Sequence, residues 1–583
     1  MKQLGKSGKA AAQLLLLTAL TVTAAACSGG DAPGASKPER TPGMTESAGS
    51  GNSGADTGSA DAGNTDDGED AGQRLLPGEK FDPAITMTTA RWVSGSFAFR
   101  DGEDIANNVH TDWMREEMGI NLDTLWSVQE GDNYITKLRL ALSAGEPLPD
   151  VLVVGDMQLA SELIDSGLVQ PIGDVFDAHA SDIVKAAYNR DPSIWYPVYK
   201  DGDYYGLPII AAGDHNDNVL YIRNDWLDAV GLDAPSTIAE METVMEAFKT
   251  QDPDGNGKDD TYGFSFSLGS NVGRGDANMI YGAFGAIPGI WMKQDDGSLV
   301  YGSTLPEIKP ALAKLKEWKE KGYLHPESGI YDRQKTYELF NSGRAGMIAG
   351  EVWLPVYPLP NLAQNVPGAE YDVIPAPTGP DGSAARWGKP FNAGVVLVNK
   401  DFEHPEALIL YLNNLFEYWN ADNPKYENGY FQGYDYDIID GKVVNGSDIP
   451  GGQISVHHYF LYNSQRPIAP YQYQDTLTAL YEGKAPETAF ERYSYSLGEM
   501  YLKAGAVAKS QRDINVYDYG IGLTDTMKTR WDRLQQMESE TFVKIIYGEL
   551  PLDEFDRFVE KWKAEGGDKI TQEMNDWYDE VNS

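Results

Sequence analysis

From Ser28 to Gln73 the chain contains no Phe, Trp, Tyr, Ile, Leu or Val and is built mainly of Gly, Ser, Ala, Asp and Thr. Such a stretch cannot bury enough apolar surface to offset the entropy lost on ordering, so it is expected to remain a tether outside any core. As a random coil its reach is on the order of 40 Å. Folding is thereby confined to the body that follows, from about Leu76 to Ser583. That body is long enough for a large core and for two or more folded units.

The segment before the tether has its own pattern. Lys2, Lys6 and Lys9 lead into an apolar run through Leu14–Leu17, Leu20 and Val22. The run is too short for a membrane span, so residues 1–26 read as an export signal. It ends in Ala24-Ala25-Ala26-Cys27-Ser28-Gly29-Gly30, which resembles a lipobox with Ala24 where Leu is commonest. Cys27 is then the expected lipidation site and residues 27–78 an anchored tether, placing the body at the outer face of the cell membrane. Cys27 is also the single cysteine of the chain, which excludes an internal disulfide, a thiol nucleophile and a thiolate metal site. A formal net charge of −41 argues against nucleic acid and anionic membrane surfaces, both of which call for Lys/Arg patches. The 13 Trp and 33 Tyr serve core packing first, but flat rings also suit the apolar faces of sugars.

Along the body, short apolar runs alternate with helical patterns, as in α/β units. Val151-Leu152-Val153-Val154 is a buried-strand candidate, and Val395-Val396-Leu397-Val398, introduced by Asn392-Ala393-Gly394, is another. Thr237-Ile238-Ala239-Glu240 reads as a capping box before Met241, Val244, Met245 and Phe248, which share one helical face. Ile308, Leu312, Leu315 and Trp318 repeat that face and stop at Lys321-Gly322. Pro551, Asp553 and Glu554 open a helix bearing Leu552, Phe555, Val559 and Trp562.

One loop carries metal chemistry. Asp252, Asp254, Asn256 and Asp260 place side-chain oxygens at alternate positions, Lys258 offers its carbonyl, and Gly255 and Gly257 let the backbone curl. This is the first part of an EF-hand-type calcium loop. The twelfth position is Gly263, so the bidentate glutamate is missing and a complete EF-hand is excluded. The same residues also suit a solvated turn closing the helix at Phe248. A bound calcium would be structural, because nothing apolar converges on the loop.

Several blocks then fall in a recognisable order: Lys137-Leu138 through Ala144-Gly145-Glu146-Pro147-Leu148-Pro149-Asp150, Gly167-Leu168-Val169-Gln170-Pro171, Asp201 to Pro208, and Ile222-Arg223-Asn224-Asp225-Trp226-Leu227. The calcium loop follows, and then Pro551 to Phe555, Trp562, Gly566-Gly567 and Asn575-Asp576-Trp577-Tyr578. From about Asn107 to Tyr578 the chain resembles the family 1 extracellular solute-binding proteins, which include maltose- and alginate-binding proteins. It is most similar to their large lipoprotein branch found beside oligosaccharide importers. In that branch the loop binds calcium and usually has Glu where this chain has Thr261.

The resemblance implies an α/β, two-lobed, periplasmic-binding-protein-like (type II) fold with a hinge and a central cleft. Chain crossings are expected near Ala211–Asp214 and Pro377–Asn392. The body at 79–583 would divide into a first lobe at about 79–212 and 389–455 and a second at about 213–388 and 456–583. Small molecules bind in such clefts, and hinge closure buries them. Trp353, after an apolar strand, would stack a sugar ring, with core packing as the alternative. Asp156, at the end of Val151–Val154, would hold sugar hydroxyls, with a helix N-cap as its alternative. Trp387 and Asn392, with Arg386 nearby, lie at the second crossing. Trp291, Asn108 and Asp214 are placed on rim loops.

The implied role is a monomeric solute-binding component that hands an oligosaccharide to ABC-transporter permease subunits. The rivals are a secreted polysaccharide-active enzyme and a solute sensor uncoupled from import. The body carries no His-Glu-x-x-His, no Gly-x-Ser-x-Gly and no phosphate-binding loop, and among 88 acidic residues no glycosidase pair identifies itself. His457 and His458 are adjacent, which on a strand would send them to opposite faces.

Overall fold

The apolar runs become the centres of two separate sheets. In the computed structural model, residues 76–582 are described except 96, 268–276, 420–422, 463–467 and 521–522. Cys27, the export signal and the tether as far as residue 75 lie outside the described residues.

The first sheet has the order Ile120–Gln129, Ile85–Val93, Val151–Val154, Asn392–Val398, Leu207–Ile210. Ile85–Val93 runs parallel to both its neighbours. Asn392–Val398 enters antiparallel to Val151–Val154 and Leu207–Ile210. Every residue of Val151–Val154 is buried, which is why the run is uniformly apolar: a central strand covered on both faces has no solvent side on which to alternate. Val153 and Val396 face one core with Met87, Ile120 and the buried helix Glu406–Phe416. Leu152, Val154, Val395 and Leu397 face the other with Leu159 and Leu163.

The second sheet runs Tyr371–Ile374, Asn218–Arg223, Ala345–Glu351, Tyr262–Ser265. Its larger core takes Leu220 and Ile222 together with Met245, Phe248, Leu315 and Trp318. These come from helices Ile238–Thr250 and Ile308–Glu320, whose inward faces are the ones the sequence marks. The capping box forms, with Thr237 Oγ1 accepting from Glu240 N at 3.1 Å and Glu240 Oε2 accepting from Thr237 N at 3.2 Å. The C-terminal helices Met527–Ile546, Glu554–Trp562 and Asp568–Val581 complete this core through Phe542, Phe555, Trp562 and Met574. Pro551 and Leu552 precede the helix rather than begin it.

The chain passes from the first sheet to the second through the short turn Gly213–Asn216 and returns through Arg386–Gly388, which pairs in parallel with Asn515–Tyr517. A Cβ on Gly213 would lie 2.6 Å from the carbonyl oxygens of both Lys389 and Pro390. The two crossings therefore touch backbone to backbone, and no side chain fits between them. The first core also takes in Val456 and Tyr459 through Tyr462, so this lobe runs past residue 455. Arg91 fixes that return by donating to the carbonyls of His458, Tyr459 and Phe460 at 3.3, 2.9 and 3.0 Å. Gln472–Tyr481 then packs on the second sheet through Leu477 and Leu480.

Candidate functional site

The crossings are held by buried polar groups. One Asp217 oxygen accepts from Arg386 Nη2 at 3.3 Å, Gln474 Nε2 at 2.9 Å and Asn515 Nδ2 at 2.9 Å, and the other accepts from Lys389 N at 3.2 Å. Arg386 also donates to Asn515 Oδ1 and to the carbonyls of Asn218 and Ala508 at 2.8, 3.1 and 3.0 Å. Asp214 is 1% exposed. One of its oxygens accepts from Gln474 N at 2.9 Å, and the other has no hydrogen-bond partner among the described residues. Burial pushes its carboxyl up to about 7, against the pull of the Gln474 amide and with the push of Asp217. His215 stacks on Tyr473 at 4.2 Å and meets the Tyr501 hydroxyl at 2.8 Å; burial draws its imidazole down to about 3.

Four of the residues singled out in sequence collect around this hinge. Asp214 belongs to the first crossing. Trp353, half-buried just beyond Ala345–Glu351, donates Nε1 to Asn216 Oδ1 in the same crossing at 3.0 Å. Trp387, half-buried on the second crossing, carries the Lys389 ammonium 3.6 Å from its ring centre. Asn392 is half-buried, donating to Ile194 O at 3.3 Å and accepting from Gly394 N at 2.8 Å. Asp156 stands at the end of Val151–Val154, half-buried, where it caps the next helix through Leu159 N at 2.6 Å and takes Arg139 Nη2 at 3.3 Å.

Two placements correct the expectation of rim loops. Asn108 is 2% exposed, because it is the N-cap of Val109–Met118: its oxygen accepts from His110 N and Thr111 N, and its nitrogen donates to Asp104 O and Ile105 O. Trp291 is 1% exposed and lies between Tyr301 and Trp531 at 5.4 and 6.3 Å. A ring that large in a core has no face left for a ligand.

The structure adds an aromatic series that sequence reading missed. Trp92, at the end of Ile85–Val93, lies 5.2 Å from Phe97, and Phe97 stacks on His458 at 4.4 Å. Because Ile85–Val93 and Val151–Val154 are parallel neighbours, this series and Asp156 lie beyond the same, C-terminal ends of adjacent strands. His457 and His458 sit on one short turn, Val456–Tyr459, not on a strand, with ring centres 4.5 Å apart. A cavity of about 440 Å³ also opens between the lobes, lined by Tyr196 and Lys200 on one side and Lys528, Glu573 and Trp577 on the other. Asp165 bridges it, with ion pairs to Lys200 at 2.8 Å and Lys528 at 3.2 Å. None of the residues chosen from sequence lines it.

The loop Asp252–Asp260 is exposed and curled as expected, with positive φ at Asp252, Gly255 and Gly257. Asp252 accepts from Asn256 N and Gly257 N at 3.1 and 2.9 Å. Asn256 Nδ2 donates to Asp254 Oδ2 at 2.7 Å and Asp260 Oδ1 at 3.1 Å. Partial burial and the neighbouring Asp252 and Asp260 carboxylates push Asp254 above the usual carboxylate range. Among the described residues no three His, Cys, Asp or Glu side chains gather into a metal-holding group. The donors are nonetheless all oxygens, and half a turn of the Asn256 amide brings its oxygen to the point its nitrogen now occupies. The residues fit a hard cation. Thr261 is not among them, since its hydroxyl donates to Phe248 O at 2.7 Å.

Comparison with known proteins places these features in context. Residues 99–418 match the family described as bacterial extracellular solute-binding protein. The polygalacturonan/rhamnogalacturonan-binding protein YtcQ of Bacillus subtilis (strain 168) is 25% identical over 460 residues, covering 76% of this chain and 82% of YtcQ. Lipoprotein LipO of the same organism is 22% identical over 454 residues, covering 76% of this chain and 84% of LipO. The fold is shared with an EF-hand mutant of the Streptococcus pneumoniae ABC-transporter substrate-binding protein FusA in complex with fructo-nystose. That likeness has a TM-score of 0.57 at 17% identity and covers 85% of this chain and 99% of FusA.

Proposed function

Because the chain belongs to the bacterial extracellular solute-binding protein family, we propose that it captures an oligosaccharide between its lobes and delivers it to the permease subunits of an ABC importer. The observation that carries this reading is the hinge, where two crossings touch at Gly213 and hold half-exposed Trp353, Trp387 and Asn392 beside them. The tryptophan rings would stack on the apolar faces of a sugar, and Asn392 and Asp156 would order its hydroxyls. Closure about the hinge would bury the ligand and present a loaded shape to the permease. The family is one of binding proteins, and the FusA mutant that shares this fold is in complex with fructo-nystose.

In this reading Cys27 carries lipid, the tether lifts a monomeric body from the extracellular face of the membrane, and the similarity to LipO supports the anchor. The loop Asp252–Asp260 holds calcium through Asp252, Asp254, Asn256, Asp260 and the Lys258 carbonyl. The cation would neutralise the cluster that pushes up Asp254 and so fix the loop.

Thermal unfolding of the body against a panel of neutral and acidic oligosaccharides tests the proposal. A ligand bound only to the folded state raises the midpoint, with about 2.7 kcal/mol of stabilisation at a hundredfold excess over Kd. A rise with an intact glycan supports it. A rise with peptides alone, or cleavage of the glycan, sinks it.

A further inference from the structure

A groove on the second lobe, at the ends of two helices opposite those whose Gln474 and Ala508 bond the hinge, has the chemistry of a second sugar site. Two cavities of about 640 and 480 Å³ share Tyr481 and Glu499 in their walls and so lie side by side. Tyr481 ends the helix Gln472–Tyr481, and Glu499 begins Glu499–Ser510. Those helices pack closely, since a Cβ on Gly505 would lie 2.5 Å from Leu477, and the groove lies over their ends. Tyr495 lines the first cavity, and Tyr371, which opens the edge strand of the second sheet, lines the second. Tyr481 and Tyr495 are 40% and 54% exposed, so both rings offer area to a ligand in the groove.

The charges in the groove define the ligand. Lys484 is paired with Glu491 at 2.5 Å and Lys503 with Asp372 at 2.5 Å, so each lysine of the groove is matched by a carboxylate. Glu499, Glu370 and Asn224 line the same cavity as Tyr371 and Tyr481, adding carboxylate acceptors and an amide to the rings. Rings for apolar faces, carboxylates for hydroxyls and lysines each matched by a carboxylate together describe a neutral, hydroxyl-rich chain. We propose that this groove binds a neutral glycan segment outside the cleft, holding a longer chain at the protein surface. The inference rests on the carbohydrate reading above for its ligand class, but the groove can be tested apart from the cleft.

Affinity electrophoresis of the full chain in gels containing inulin, starch, xyloglucan or arabinogalactan gives the test. Retardation by at least one neutral polymer is expected. It should fall about tenfold in apparent affinity in Tyr481→Ala/Tyr495→Ala and persist in Trp353→Ala/Trp387→Ala. Glu499→Gln, an exposed change, should weaken it without moving the thermal midpoint. Retardation lost with the cleft variant but kept with the tyrosine variant overturns the groove and leaves the cleft reading intact. Absence of retardation in every gel also overturns the groove, even where short oligosaccharides raise the midpoint.

Discussion

Asp217 and Arg386 meet in the interior, with both Asp217 oxygens and all three Arg386 nitrogens hydrogen-bonded. Removing one partner strands the other as an uncompensated buried charge. Arg386→Ala is therefore expected to destabilise the chain by about 3–5 kcal/mol in denaturant titration, while exposed pairs such as Lys316–Glu320 contribute under about 1 kcal/mol. Asp214 beside it makes stability depend on pH. Its carboxyl is raised from the ordinary 3.8 to about 7, so the folded chain holds the proton more tightly than the unfolded one. That contribution is complete below 3.8 and is lost as pH rises through 7. His215 runs the other way: lowered from 6.5 to about 3, it stabilises fully above 6.5 and loses that as pH falls toward 3. Replacing Asp214 by Asn leaves the histidine alone, so the variant should gain on the parent steadily between about pH 4 and about pH 7 in thermal scans. A gap independent of pH would refute the shifted carboxyl. Sequence gave no hint of these shifts, because Asp214 looks like any loop aspartate until Gln474 is folded over it. The same blindness put Asn108 and Trp291 on the rim: residue type shows what a side chain can do, and contacts from distant segments decide whether it is spent on a cap or a core.

At the scale of elements, local pattern carried further. Val151–Val154 and Val395–Val398 were legible because burial on both faces leaves only apolar residues, and the Thr237 capping box announces itself within four positions. The strand Ile85–Val93 was not read, since its threonines and Arg91 disguise a strand whose buried polar groups find partners far along the chain. The loop Asp252–Asp260 was legible as a curl of oxygens, but not the engagement of Thr261 by the preceding helix. Calcium is expected to raise the thermal midpoint of the body, and Asp254→Asn or Asp260→Asn should abolish that rise while leaving the calcium-free midpoint unchanged or slightly higher, since each removes one of three crowded carboxylates. Equal response of parent and variants would place the ion elsewhere.

The described body is two sheets, each with its own packing, joined where backbone meets backbone, and that layout was legible only through the order of blocks shared with a family; periodicity alone gives strands without saying which share a sheet. Glycan binding should draw the lobes together, so small-angle scattering is expected to show a smaller radius of gyration with any sugar that raises the midpoint. Gly213→Ala, which forces Lys389 and Pro390 away, should weaken that contraction more than it weakens folding of either lobe. The placement of Asn392–Val398 has a consequence in time. This strand sits between Val151–Val154 and Leu207–Ile210, yet it is synthesised after all four strands of the second sheet. The first sheet therefore waits, its centre open, until Val398 has left the ribosome, and for that interval the growing chain has two half-edges and no finished first lobe. Such late closure favours slow folding, which is also what a chain needs if it is to stay threadable until it has crossed a membrane.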